Sequence, residues 1–182
     1  MKVRRNLFAA AAVCGVLGAC GGGGGDNALD GYCVGSFEGG STSFACTTCS
    51  GVDPFDDNPL REAIDNDGAS YRAFSLGPGN GSITLEFHAP GGMSFPGGVD
   101  AGARILFPAG VPVTASYTLY GGGAPVAATS GETIATGVPP DGAGSATYYP
   151  VTAASTIDRI DIAISASGVG ADFKLYEVCG DR

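Results

Sequence analysis

The run Ser82-Ile83-Thr84-Leu85-Glu86-Phe87 alternates apolar and polar residues. This period of two, which recurs along the chain, confines it to β architecture. Successive side chains of a strand point to opposite faces, so Ile83, Leu85 and Phe87 share one face. Residues 112–120 repeat the pattern, with Val113, Ala115, Tyr117 and Leu119 on one side and Thr114, Ser116 and Thr118 on the other. Residues 157–164 place Ile160, Ile162 and Ile164 inward. Shorter strand candidates are 71–76, 103–107, 126–129, 133–136, 146–151 and 172–179. Gly- and Pro-rich turns at 77–81 and 137–142 separate them. Only residues 58–64 suggest a helical turn, and no crossover segment is long enough for parallel βαβ units. Many short strands in about 150 residues predict an all-β, antiparallel sandwich.

The amino end is a unit apart. Met1-Lys2-Val3-Arg4-Arg5 is basic, and residues 7–17 are apolar or small. The run is short for a bilayer span and reads as a signal peptide. It closes on Leu17-Gly18-Ala19-Cys20, which resembles the lipobox of bacterial lipoproteins. The resemblance implies cleavage after residue 19 and lipidation of Cys20. Each buried acyl methylene would contribute about 0.8 kcal/mol to membrane anchoring. Gly21 to Gly25 open a tether, residues 20–30, that would hold the domain roughly 15–20 Å from the membrane. Gly21 stands where Asp would favour inner-membrane retention, so the resemblance implies the outer membrane. The folded domain is expected over 31–182.

Without residues 1–19 the chain keeps six basic and 18 acidic residues, a formal charge of −12. A nucleic-acid partner is excluded on that ground, because phosphate binding needs a basic surface. Four cysteines remain beyond Cys20: Cys33, Cys46, Cys49 and Cys179. An even number in an exported domain predicts two disulfides, with three possible connectivities. Cys33–Cys179 is favoured, since both lie at the domain ends, leaving Cys46–Cys49 in a tight loop. His88 is the only histidine, which argues against zinc.

Residues 61–74 concentrate oxygen donors around a glycine. Asp65, Asp67 and Ser70 fall within six residues, a pattern able to curl around a hard cation such as calcium. By residue type alone the same stretch is also an ordinary Asn/Asp/Gly turn. It is not an EF-hand: counted from Asp65, the sixth residue is Ser70 and the twelfth is Leu76. Ala63-Ile64-Asp65-Asn66-Asp67-Gly68-Ala69-Ser70-Tyr71 resembles a stretch of discoidin-type, galactose-binding-like jelly-roll domains. Phe173-Lys174-Leu175-Tyr176-Glu177-Val178-Cys179 resembles their last strand. Two departures stand out: Ser70 replaces the usual Thr, and one extra residue shifts the Asp-Gly spacing. The resemblance implies a jelly roll with a structural calcium. Asp65, Asp67 and Ser70 would supply ligands, Glu177 would close the site, and the Glu62 carbonyl would assist.

It also implies a ligand site at the loop end of the sandwich, where relatives often stack aromatic rings on sugars. Phe55, Phe95, Tyr148 and Tyr149 are the candidate exposed rings, with His88 and Arg104 as polar partners. The absence of Trp counts against tight glycan binding. No catalytic triad can be assembled with one histidine and no nucleophile elbow. The expectation is therefore a non-catalytic envelope or cell-surface binding module, with carbohydrate as ligand class. The competing expectation is a structural lipoprotein that docks another envelope protein and binds no small ligand.

Overall fold

The computed structural model describes residues 32–108, 110–126, 132–137 and 146–182. The signal segment, Cys20, the tether, residues 127–129 and the 138–142 turn lie outside the described residues.

Two antiparallel sheets form a sandwich of jelly-roll type. The first holds β1 (Gly35–Ser36), β3 (Cys49–Ser50), β4 (Arg72–Leu76), β6 (Asp100–Leu106), β10 (Thr147–Thr152) and β12 (Ala171–Asp181). Its order is β10-β6-β12-β4-β3, with β1 pairing on β12. The second holds β2 (Ser41–Thr47), β5 (Gly79–His88), β7 (Val113–Gly121), β8 (Ala124–Pro125), β9 (Glu132–Gly137) and β11 (Arg159–Gly168). Its order is β2-β5-β11-β7-β8, with β9 pairing on β7.

The alternation read from the sequence is realised in the core. Ile83, Leu85 and Phe87, the isoleucines 160, 162 and 164, and the 113–119 set from β7 all pack inward. They meet Phe74, Ala103, Ile105, Phe173 and Leu175 of the first sheet. One polar bridge crosses this interior. The buried Tyr117 hydroxyl accepts from the Ala103 N–H at 2.8 Å and donates to the Tyr149 carbonyl at 2.8 Å. Burial pushes its phenol well above the ordinary value. The bridge satisfies all three groups, as a buried hydroxyl requires.

Both disulfides take the favoured pairing. Cys33–Cys179 ties the first described residues to β12, and Cys46–Cys49 staples β2 to β3 where the chain passes from one sheet to the other. Residues 58–64 contain a 3-10 turn at Arg61–Ala63. β2 has no counterpart among the strands expected from sequence. It is an edge strand with Thr42 as its only fully buried residue, so its alternation is weak.

Candidate functional site

The 3-10 turn delivers the chain into the 65–70 loop, with Ala63 and Ile64 buried beneath it as anchors. Asn66 takes a left-handed backbone, φ 58°, which Asn tolerates better than most residues. The Asp67 N–H donates to Asp65 Oδ1 at 3.0 Å, and the Ala69 N–H to Asp67 Oδ1 at 2.9 Å. The carboxylate of Asp67 is thus engaged within its own turn, and it is its carbonyl that faces Ser70. A Cβ on Gly68 would stand 2.8 Å from the Tyr32 ring, so glycine is needed for that close approach. Arg104 braces the loop by donating from Nη1 to the Gly68 carbonyl at 2.6 Å.

The result is an excess of acceptors around one hydroxyl. Ser70 Oγ lies 2.8 Å from the Glu62 carbonyl, 2.9 and 2.8 Å from the two Asp65 carboxylate oxygens, and 3.2 Å from the Asp67 carbonyl. A hydroxyl has one proton to give. Four oxygens therefore compete for that one proton, although Asp65 Oδ1 also accepts from the Asp67 N–H and the Asp67 carbonyl from the Ser70 N–H at 3.2 Å.

Glu177 reaches the same region because of a bulge. Ala171, Phe173 and Leu175 point into the core, and strict alternation would send residue 177 after them. The pairing of β12 with β6 slips between Leu175 and Glu177, so that Val178 enters the core instead. Glu177 then pairs with Arg104 on the outward face. Bulges commonly re-aim a side chain in this way. The segment from Cys33 to Ser36 covers it. Ser36 Oγ donates to Oε1 at 3.5 Å, and Cys33 Sγ packs 3.9 Å from the same oxygen. Glu177 is 0% exposed, and its Oε2 has no hydrogen-bond partner. Burial, and then the Asp65 carboxylate, push its carboxyl up to about 9. The Ser36 hydroxyl and the N–H groups of Val178 and Asn66 offset part of that.

By donor type alone these residues suit a hard cation. The set offers carboxylate, hydroxyl and carbonyl oxygens, the donors calcium prefers. Among the described residues no group of three or more His, Cys, Asp and Glu side chains that could hold a metal ion is gathered.

The expected ligand residues disperse. Phe95 is 4% exposed and packs on Phe37 with ring centroids 4.8 Å apart, so its expected exposure is corrected: it is a core ring. Alternation explains Tyr149 too. It shares the inward side of β10 with buried Val151 and packs edge-on against Phe107 at 5.3 Å. Phe55 stands alone on a loop at 92% exposed. Tyr148 and Arg104 meet on the outer face of the first sheet. Arg182 lies 4.2 Å from the ring centres of both Tyr148 and Tyr32, and Arg104 lies 5.6 Å from Tyr32 and 5.0 Å from Tyr176.

His88 belongs to a different place. With Tyr120, Arg159, Asp158 and Met93 it lines a groove of about 500 Å³ at one end of the second sheet. Arg159 lies 4.5 Å over the Tyr120 ring and binds Asp161 through two contacts of 2.6 Å. Tyr120 and Arg159 were not among the residues expected from sequence. The signal was present, since register places both directly across from one another and Arg159 across from His88. It needed the strand pairing to be read.

No known protein family matches the sequence, and no curated protein does. Solved structures give distant likenesses. One is chitosan-binding module 1 of a chitosanase/glucanase from Paenibacillus sp. IK-5, with 13% identity and a TM-score of 0.45 over 79% of this chain and 96% of the module. Another is a GH29 fucosidase from Ruminococcus gnavus in complex with fucose, with 15% identity and a TM-score of 0.40 over 83% of this chain. The match spans 27% of that fucosidase.

Proposed function

We propose that the chain is a lipid-anchored, non-catalytic binding module of the bacterial envelope, of the galactose-binding-like type, that takes carbohydrate and is tied together by one structural calcium. The observation that carries the reading is the crowd of acceptor oxygens around Ser70 beside the buried, unpartnered oxygen of Glu177. A divalent ion would supply the positive charge that these oxygens lack. Asp65, Ser70, Glu177 and the carbonyls of Glu62 and Asp67 would hold it. The ion would join the 65–70 loop to the last strand.

Carbohydrate as ligand class is supported by the groove at His88, where an aromatic ring, a guanidinium, an imidazole and carboxylates stand close together. Such a mixture can read sugar hydroxyls while covering an apolar sugar face. Anchoring rests on Cys20, and the outer membrane is the proposed location. A glycan array probed with the full-length protein in detergent tests the binding role. The expected result is retention on a neutral glycan. Failure to bind any envelope or host polysaccharide would favour a protein-docking lipoprotein. Cys20→Ser should lose incorporation of labelled fatty acid and leave the membrane fraction.

A further inference from the structure

The groove at His88 is one end of a longer feature. On β5, β11 and β7 the side chains that do not enter the core form successive rows. The first row is His88, Arg159 and Tyr120, and the second is Glu86, Asp161 and Thr118. The third is Thr84, Ala163 and Ser116, and the fourth is Ser82, Ser165 and Thr114. Beyond it Asn80 pairs with Ser167, and these two line a second cleft of about 290 Å³. Ala163, Ser165 and Thr114 are exposed. The two clefts therefore lie at opposite ends of one face, with the Glu86–Asp161–Thr118 row next to the first and two rows of small side chains, hydroxyl-bearing except for Ala163, leading to the second. Arg159 and Ser167 are eight residues apart on one strand, which is about 27 Å at roughly 3.4 Å per residue.

We infer that this outer face is a track for a neutral, linear glycan, entering at the His88–Tyr120 groove and running along β11 to the Asn80–Ser167 cleft. The inference rests on the carbohydrate reading above and gives it a place and a ligand class. Charge selects the occupant. Arg159 is held by Asp161 and by Glu86, 3.4 Å away, and the Asp158 carboxylate accepts from the Gly122 N–H at 2.9 Å. From the third row onward these three strands present no ionisable group. A charged ligand would find no counter-charge there, and a polyanion would also meet the formal charge of −9. An apolar partner would cover hydroxyls without giving them hydrogen bonds, which is costly. A polyol offers donors and acceptors to each of them. Same-face residues recur at roughly 6.8 Å along a strand and about 4.8 Å between strands, a lattice that an extended sugar chain can follow.

The test is calorimetric titration of the full-length protein in detergent with neutral gluco-, manno-, xylo- and N-acetylglucosamine oligomers, each from disaccharide to octasaccharide. At least one series should bind more tightly with length, by ten-fold or more overall. Ala163→Arg, an exposed change at the centre of the face, should weaken the octasaccharide at least ten-fold. Ser165→Arg, nearer the far cleft, should reduce the octasaccharide to the affinity of the short oligomers. It also serves if Ala163→Arg fails to fold. Length-independent affinity, or binding that survives both arginines, would overturn the track while leaving a sugar-binding module intact. Absence of binding to every series would overturn both.

Discussion

The backbone N–H of Cys33 donates to Asn66 Oδ1 at 2.9 Å, joining the first described residues of the domain to the centre of the oxygen-rich loop. Cys33 is also bonded to Cys179, two residues beyond Glu177. One residue at the amino end thus holds both halves of the candidate cation site, and lies directly downstream of the proposed membrane tether.

The two disulfides should differ in weight. Cys33–Cys179 closes a separation of 146 residues and Cys46–Cys49 one of three. In the chain-entropy account these loops correspond to about 5 and about 2 kcal/mol. Denaturant melts of Cys33→Ala/Cys179→Ala and Cys46→Ala/Cys49→Ala should show the first as much the more destabilised. Equal losses would contradict this, and mass mapping of the unreduced protein should return the same two pairs.

Tyr117→Phe keeps the ring and removes the hydroxyl that links the sheets. The Ala103 N–H and the Tyr149 carbonyl would then lose their shared partner in the core. Leaving buried groups unpaired costs about 1–3 kcal/mol, which equilibrium unfolding should detect.

Phe95→Ala separates a core ring from a ligand ring. Phe95 packs on Phe37 and against Gly180, where any Cβ would run into it. The substitution should cost about 3–5 kcal/mol of stability. Phe55→Ala, at an exposed loop ring, should change stability within about 0.5 kcal/mol.

Those contrasts mark what the sequence could and could not reveal. The long alternating strands 82–87, 113–119 and 160–164 were legible because each carries three or more apolar residues at a period of two. Edge strand β2 was not, since one face of it meets solvent and on the other only Thr42 is fully buried, with Phe44 half-buried against the core. Asp65, Ser70 and the Glu62 carbonyl were legible as neighbours because they are local. Glu177 joins them through a bulge that reverses the facing of β12, and no periodicity in its sequence announces it. Phe95 reads as a loop ring beside Pro96-Gly97-Gly98, yet paired backbone hydrogen bonds with Ile157 fold that loop over the core. Tyr120 and Arg159 are 39 positions apart, and only register unites them.

The raised Glu177 gives a pH signature in the presence of chelator. Its folded pKa of about 9 lies above the ordinary 4.5, so the folded protein binds the proton more tightly than the unfolded chain does. The stability this contributes is full below about pH 4.5 and is lost as pH rises toward 9. Melting temperature with chelator should therefore fall across that window. Glu177→Gln, which cannot ionise, should flatten the fall. Calcium should oppose it in the unaltered protein alone.

The most direct measurement is calorimetric titration of calcium into the chelator-treated, full-length protein, paired with thermal melts. The account predicts one site per chain, lost in Asp65→Ala and in Glu177→Gln. At calcium a hundred-fold above Kd the stabilisation is about 2.7 kcal/mol, or a rise in Tm of roughly 5–10 °C. A titration without binding heat, together with the same Tm in calcium and in chelator, would contradict it.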